Sequence, residues 1–363
     1  MISDIFTYQL SPITYHLTMK FLITDDVHPS LIQGLETLGY ECHYQPNITA
    51  DEVRTIISDY QGLVINSKIN IDKTLIDRAT NLKFVGRVGS GMEIVDIPYA
   101  HSKGIAVLSS PEGNRNAVAE HAVGMLLSLM NNLNRANNEV KNFNWRREEN
   151  RGQELLGKKI GIVGFGNTGS SFAAKLLGFG VQVLTYDKYL PKGYLKKFLP
   201  THIAQKHFTA PRKSFVSPNL DTNTFNYNFS TYTESSLYEI QDECDIISFH
   251  LPLTAETKHF VNESFLNSCT KSVILINTSR GNVIETNSLI SALKNKKVQG
   301  ACLDVFENEK VNTFYITERA MYSELYSYEN VVVSPHVAGW TIESKQRLAE
   351  ILLDKIKTKL TKP

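Results

Sequence analysis

The sequence predicts an α/β protein made of two doubly wound parallel sheets. Three observations carry that expectation. Short apolar segments alternate with amphipathic ones along the chain, the pattern that βαβ units require. The 363 residues exceed what one hydrophobic core usually organises, so two domains are expected. Midway, an apolar run Lys159–Val163 breaks into Gly164-Phe165-Gly166-Asn167-Thr168-Gly169, a strand–turn–helix signature of dinucleotide binding.

In the first part, strands are expected at Phe21–Thr24, Glu41–Tyr44, Leu63–Asn66, Phe84–Val88 and Ala106–Leu108. Helical spacing near Pro29–Leu38, Ala50–Asp59 and Lys73–Ala79 separates them. A near-continuous apolar helix, Asn116–Asn132, should be buried on most sides, between domains or in a subunit contact. A second helix runs on to Phe143. Beyond the glycine motif, strands are expected at Val181–Asp187, Asp245–Phe249, Val273–Asn277, Ala301–Asp304 and Val331–Ser334. The last helix, Glu343–Leu360, places Leu348, Leu352, Ile356 and Leu360 on one stripe.

One stretch breaks the rhythm. Residues 190–233 fill a connection that usually needs only a few residues. Lys192, Lys196, Lys197, Lys206, Arg212 and Lys213 occur there with no acid between Asp187 and Asp221. The plain reading is a surface insertion with a solvated charge run. The sharper one is a lid or partner loop beside an adenosine pocket, because the stretch leaves the strand end that carries Asp187.

Composition narrows the function classes. With 42% hydrophobic and 21% charged residues the chain has the make-up of a globular protein. Lys and Arg total 38 against 37 Asp and Glu, which leaves no global basic field for nucleic acid or an anionic membrane. Cys42, Cys244, Cys269 and Cys302 form no CxxC pair, so reduced thiols, a cytoplasmic setting and no metal are expected. The most apolar helical run, Ala117–Met130, is too short to span a bilayer and carries Glu120 and His121. The first eighteen residues lack the features of a signal peptide and precede Met19-Lys20, so residues 1–18 are expected to be an extension.

Each part of the glycine motif has a physical task. Gly164 permits the tight turn, Gly166 lets a pyrophosphate approach the backbone, and Gly169 allows close helix–strand packing. The helix begins near Asn167 and Thr168, so its unpaired N–H groups and positive dipole end face the phosphates. Asp187, eighteen residues beyond Gly169, ends the next strand. Its carboxylate suits two ribose hydroxyls and repels a 2′-phosphate, which favours NAD over NADP. Lys188, next in sequence, softens that repulsion.

Ligands of open α/β sheets bind beyond the carboxyl ends of the strands. Three residues follow later strands there: Arg280 after Val273–Asn277, Glu309 five residues beyond Asp304, and His336 after Val331–Ser334. Arginine, carboxylate and histidine together suit reduction of a 2-keto acid. A guanidinium holds the substrate carboxylate or keto oxygen through paired hydrogen bonds. An imidazolium delivers a proton as hydride reaches the carbon, and the carboxylate orients the imidazole and raises its pKa. Glu307 competes with Glu309 for that pairing role.

With these residues in view, the sequence resembles the D-isomer-specific 2-hydroxyacid dehydrogenases, in particular their phosphoglycerate dehydrogenase-like branch. The matching segments are Asn81–Gly91, Ser110–Asn114, Ala119-Glu120-His121, the glycine motif, His250–Thr254, Asn277–Gly281, Leu303–Glu307 and Ser334–His336. The resemblance implies a Rossmann NAD-binding domain, residues 116–336, inserted into a discontinuous flavodoxin-like substrate domain, residues 20–115 plus 337–363. It implies an active site in the cleft between them and a homodimer.

It also implies that Arg280 binds substrate, His336 is the acid/base and Glu309 its partner. Leu251, Pro252, Thr278, Ser279 and Asp304 would line the cofactor, Asp304 facing the nicotinamide amide. Gly89, Ser90 and Gly91 would offer N–H groups to the substrate carboxylate, with Asn114 nearby. For a phosphorylated substrate, Arg87 and Trp145-Arg146-Arg147 match positions that such enzymes use, and Lys68 takes the cationic place that Asn66 cannot fill. Trp340 follows the histidine where small residues are usual, and packing against the last helix is expected for it. 3-Phosphoglycerate is the leading substrate, with glyoxylate or hydroxypyruvate next. A non-catalytic NAD(H)-sensing protein on the same fold is the alternative from another class. No appended regulatory domain is expected after the last helix.

Overall fold

The computed structural model describes residues 19–195, 230–309 and 315–360. The expected extension 1–18 and residues 196–229 of the expected insertion lie outside the described residues. The chain divides into two compact units, one holding the described residues up to Ser110 together with Ala349 onward, the other Pro111–Leu348. These boundaries differ from the expected 115 and 336 for a local reason. Arg347 Nε donates to the Gly113 carbonyl at 3.2 Å, and a Cβ at Gly113 would lie 2.6 Å from Leu348 N. The start of the last helix is thus packed on the segment that precedes the long apolar helix.

The first unit has five parallel strands: β1 (Lys20–Ile23), β2 (Glu41–Tyr44), β3 (Gly62–Ile65), β4 (Phe84–Arg87) and β5 (Ala106–Ser109). Their order is β2-β1-β3-β4-β5, that of a flavodoxin-like sheet. Leu22, Leu63, Ile65 and Val85 face one core with Val53, Ile57 and Leu75. Over the other face, Phe21 and Phe84 meet with ring centres 5.2 Å apart, and Gly86 leaves room for Leu352 of the last helix. That helix spans Ile342–Leu360, and its buried stripe is Ala349, Leu352, Leu353 and Ile356. A short helix, Ile97–Ser102, was not expected from periodicity; Asp96 caps it by accepting from Tyr99 N at 3.1 Å, and Pro98 sits in its first turn.

The second unit has seven parallel strands: β6 (Lys159–Val163), β7 (Gln182–Tyr186), β8 (Thr231–Glu234), β9 (Ile246–Phe249), β10 (Val273–Asn277), β11 (Val298–Leu303) and β12 (Val331–Val333). They run in the order β12-β11-β10-β9-β6-β7-β8, which reverses direction at β6, as a Rossmann sheet does. Alternate side chains serve two cores. Val163, Ile247, Phe249, Leu275 and Leu303 point to one, Ile160, Ile162, Ile246, Ile276 and Cys302 to the other. The helix Arg115–Met130 buries Ala119, Ala122, Met125 and Leu126 in the second core, beside the helix Asn167–Lys175, so much of its apolar surface is used within its own unit. Among the described residues, no helix is long and apolar enough to cross a membrane.

β8 corrects the expected insertion. Its sequence Thr-Tyr-Thr-Glu is half exposed and polar, so it shows no apolar run, yet it pairs with β7 from Gln182↔Thr231 to Thr185↔Glu234. The described start of the stretch is anchored too. Tyr194 and Leu195 are buried, the Tyr194 hydroxyl lies 2.7 Å from Thr185 Oγ1, and Glu234 accepts from the Gly193 and Leu195 N–H groups.

Candidate active site

The site grows out of one line of register. Tyr186, Val163, Phe249, Asn277, Leu303 and Val333 lie level across β7-β6-β9-β10-β11-β12. The next residue on each strand is therefore also level: Gly164, Asp187, His250, Thr278, Asp304 and Ser334. Hydrogen bonds continue the ladder by one step, with Gly164 N donating to Tyr186 O at 2.8 Å, His250 N to Val163 O at 2.8 Å and Ser334 N to Leu303 O at 3.0 Å. Parallel pairing alone brings residues 170 positions apart in sequence into one row.

At the glycine end the backbone is closely packed at two positions and open at a third. Gly164 has φ +90°, and a Cβ there would lie 2.5 Å from the His250 carbonyl oxygen. A Cβ on Gly169 would lie 2.0 Å from Gly164 O, so only glycine lets this helix sit on its turn. Gly166 differs: a Cβ there would meet nothing within 4 Å. That open approach leads to the start of the helix Asn167–Lys175, which has no side-chain cap, so its first N–H groups are available to a phosphate. Asp187 braces the loop, Oδ2 accepting from Phe165 N at 2.8 Å and Oδ1 from Tyr189 N at 3.0 Å and Leu190 N at 3.2 Å. A carboxylate has about four acceptor positions, so ribose hydroxyls remain within its capacity. Leu251 lies against Gly164, and the buried Thr278 Oγ1 and His250 Nδ1 have no hydrogen-bond partner among the described residues. Open backbone, an uncapped helix start and orphaned polar atoms along one edge fit a dinucleotide.

The other end of the row holds the acid/base group. His336 Nδ1 lies 2.8 Å from Glu309 Oε2, and Glu309 Oε1 accepts from Phe306 N at 3.3 Å. The hydrogen bond that His336 donates to Glu309 raises the His336 pKa above its ordinary value; burial opposes this, and the Glu309 and Asp304 charges add to it. For Glu309, partial burial pushes upward, but the His336 bond and charge, the Phe306 N–H and the Arg280 charge together bring it below the usual carboxylate value. Glu307 does not compete. It accepts from Thr286 N at 3.0 Å and lies 3.2 Å from His259 Nε2. His250 is the contrast: burial lowers it to about 3, so it stays neutral and is no proton donor near pH 7.

His336 has φ +55°, a left-handed conformation that a non-glycine residue keeps only when its surroundings enforce it. Asp304 does the enforcing. It is fully buried; Oδ1 accepts from Val337 N and Ser334 Oγ at 2.9 and 2.6 Å, and Oδ2 from Ala338 N at 2.9 Å. Its backbone carbonyl accepts from His336 N at 2.8 Å. His121 closes the cluster, with Nε2 2.8 Å from Ser334 Oγ. Strand-end reasoning gave His121 and Ser334 no part in holding this loop; the signals were the polar pair Glu120-His121 inside an apolar helix and the presence of both residues in segments that carry the resemblance.

Arg280 follows β10 on a turn tied by Asn277, whose Nδ2 donates to Arg280 O at 3.0 Å and whose Oδ1 accepts from Ser279 N and Oγ. A Cβ on Gly281 would lie 1.8 Å from Phe306 O, so this turn depends on the absence of a side chain. The Arg280 charge acts on both Glu309 and His336. Asn114 precedes the helix Arg115–Met130; its Oδ1 is buried without a partner among the described residues, and Gly339 packs against its amide. Pro252 accepts from the Thr257 hydroxyl at 2.6 Å.

In the first unit, the Gly89, Ser90 and Gly91 N–H groups have no acceptor among the described residues. Arg87 Nε donates to Asn66 O at 2.9 Å, and Lys68 Nζ to Pro46 O at 2.7 Å, so both cations are partly engaged. Trp340 departs from expectation: it is 74% exposed and does not pack the last helix. Trp145 is exposed as well, and Arg146 pairs with Glu139.

Sheet order, glycine loop and strand-end acid define an NAD-binding α/β protein. Residues 123–202 and 202–338 match the family model of the D-isomer specific 2-hydroxyacid dehydrogenase, NAD binding domain. The chain is 31% identical to hydroxypyruvate reductase of Thermotoga maritima over 85% of its length and 88% of that protein. It is 28% identical to D-3-phosphoglycerate dehydrogenase of Methanocaldococcus jannaschii over 93% of its length, but spans only 57% of that relative. The structure of a D-lactate dehydrogenase from Aquifex aeolicus complexed with NAD and lactic acid is similar with TM-score 0.74 and 26% identity, covering 94% of this chain and 95% of that one. The chain belongs to the D-isomer specific 2-hydroxyacid dehydrogenase family.

Proposed function

We propose that the protein is an NAD-dependent oxidoreductase that interconverts a D-2-hydroxy acid and its 2-keto acid. The observation that carries this reading is the His336–Glu309 pair, 2.8 Å apart, on the same sheet edge as Arg280 and the open glycine loop. Bound NADH supplies the hydride. His336, whose protonated form Glu309 favours, gives its proton to the keto oxygen. Arg280 holds the substrate carboxylate and the polarised oxygen by charge-assisted hydrogen bonds. Asp304 keeps the histidine loop in its left-handed conformation while the proton moves. In the reverse direction neutral His336 accepts the proton, and Glu309 stabilises the imidazolium that forms.

The substrate we favour is 3-phosphoglycerate with phosphohydroxypyruvate, and hydroxypyruvate or glyoxylate comes next. The likeness to the Methanocaldococcus enzyme supports the first and that to the Thermotoga enzyme the second. The Gly89–Gly91 N–H groups, without an acceptor among the described residues, suit the carboxylate of any of them. Lys68 and Arg87 serve a phosphate in this reading, and Lys68 must leave Pro46 to do so. Turnover of NADH with these keto acids, measured as loss of nicotinamide absorbance, is the test.

The raised His336 pKa has a signed consequence. Keto-acid reduction needs the protonated ring, so its kcat/KM is expected to fall as pH rises through that raised value. Glu309→Gln removes the largest cause of the shift, so the same limb should move to lower pH. A limb that stays in place in the variant contradicts the pairing.

We infer a homodimer as well, in a cytoplasmic setting. Leu133, Val140, Phe143 and Trp145 expose apolar side chains over one short stretch of the second unit, and Phe143 is 99% exposed. A second copy of the chain would cover them. Sedimentation equilibrium should give twice the 40.9 kDa chain mass, and a monomer at micromolar concentration would oppose this.

A further inference from the structure

We propose that Glu256 is a coenzyme-specificity residue: it holds the Lys188 ammonium, keeps it from a 2′-phosphate and so widens the preference for NAD over NADP. The inference rests on the NAD(H) reading of the edge and names a determinant beyond Asp187. It begins with topology. β7 and β9 flank β6, so the turn after β7 and the loop after β9 rise on either side of the glycine loop. Lys188, on the first of these, and Glu256, on the second, join as an ion pair. The same carboxylate accepts from the Tyr189 hydroxyl at 2.6 Å, so each of its oxygens is committed. The Lys188 Nζ also lies 5.7 Å from the centre of the Tyr189 ring.

Glu256 is presented by a braced turn. Thr254 N donates to Thr257 Oγ1 at 2.8 Å and Thr257 N to Thr254 Oγ1 at 3.2 Å, while the Thr257 hydroxyl is tied to Pro252 O. The charge states agree with the geometry: the Glu256 bond raises the Lys188 pKa, and the Lys188 bond lowers that of Glu256.

The chemistry follows from position. Asp187 alone disfavours a 2′-phosphate by repulsion, and a cation one residue away would offset it. With its charge committed to Glu256, Lys188 offers less to that phosphate. Both side chains of the pair are about half exposed, so the effect is screened by salt and bounded at a few-fold.

The test titrates the full-length protein, Glu256→Gln, Lys188→Ala and the double variant with NADH and NADPH, following nicotinamide fluorescence. Calorimetry with ADP and 2′,5′-ADP repeats the comparison without any turnover. Glu256→Gln should tighten NADPH and 2′,5′-ADP about two- to fivefold at low salt, with a smaller change for NADH and ADP. The gain should vanish in the double variant and shrink in high salt. An unchanged NADPH-to-NADH ratio in Glu256→Gln overturns the proposal, as does equal tightening of both or a gain that survives Lys188→Ala. Failure of the unsubstituted protein to bind NADH would instead remove the NAD site on which the proposal stands.

Discussion

His336→Gln is expected to lower kcat by about 10²–10⁴, the usual worth of a positioned general acid, with NADH affinity nearly intact. Glutamine keeps the approximate volume and can still bond Glu309, but it has no proton to give at neutral pH. The left-handed backbone at φ +55° is imposed by Asp304 through main-chain bonds, so the loop should survive the change. The effect then falls on the chemical step, and kcat and kcat/KM should drop together. Stopped-flow measurement of NADH oxidation separates this from binding. An unchanged kcat removes His336 from the acid/base role.

Arg280→Ala should be at least as costly, but to kcat/KM. Two charge-assisted hydrogen bonds at about 1.5–3 kcal/mol each correspond to a loss of roughly 10²–10⁴. Lysine should rescue only part of it, because a single ammonium cannot reproduce the planar fork of donors. A second signature distinguishes substrate binding from simple damage. Arg280 holds the His336 pKa down and the Glu309 pKa down, so removing its charge should move the His336 limb of the pH profile upward. Glu309→Gln moves the same limb the other way. Opposite displacements from two neighbouring substitutions are hard to produce by loosening the fold. An Arg280→Ala enzyme with normal kcat/KM would refute the assignment.

Much of this architecture was legible in the residues because buried parallel strands are apolar throughout. Val273–Asn277 is buried along its whole length and was expected at those bounds. Gly164 and Gly169 were legible for a related reason: each marks a place where backbone meets backbone, and a Cβ at either would fall within 2.5 Å of a carbonyl oxygen. What was missed lacks such a signal. β8 is an edge strand of polar, half-exposed residues, and periodicity is silent about a strand held only by its pairing. The Ile97–Ser102 helix is too short for a period, although its cap was there to be seen.

In the candidate site, the placement of Arg280, Glu309 and His336 beyond the strand ends was legible because each follows a strand that was itself recognisable. The bonds from Asp304 to the histidine turn were not legible, since a strand-end aspartate reads the same whether or not it clasps a loop. Only the row in which Leu303 stands level with Val333 shows that its carboxylate lies beneath the His336 turn. His121 reaches that cluster from 213 residues away, a contact made by packing that no local pattern announces.

The central claim, hydride transfer to a D-2-keto acid at the edge bearing Arg280, Glu309 and His336, has one direct test. NADH oxidation is followed with a panel of phosphohydroxypyruvate, hydroxypyruvate, glyoxylate and pyruvate, and the chirality of the product is determined. Sustained turnover with at least one member, giving the D-2-hydroxy acid and lost in His336→Gln, is the predicted result. Tight binding of NADH with no turnover across the panel would contradict it and make the protein a sensor of the dinucleotide.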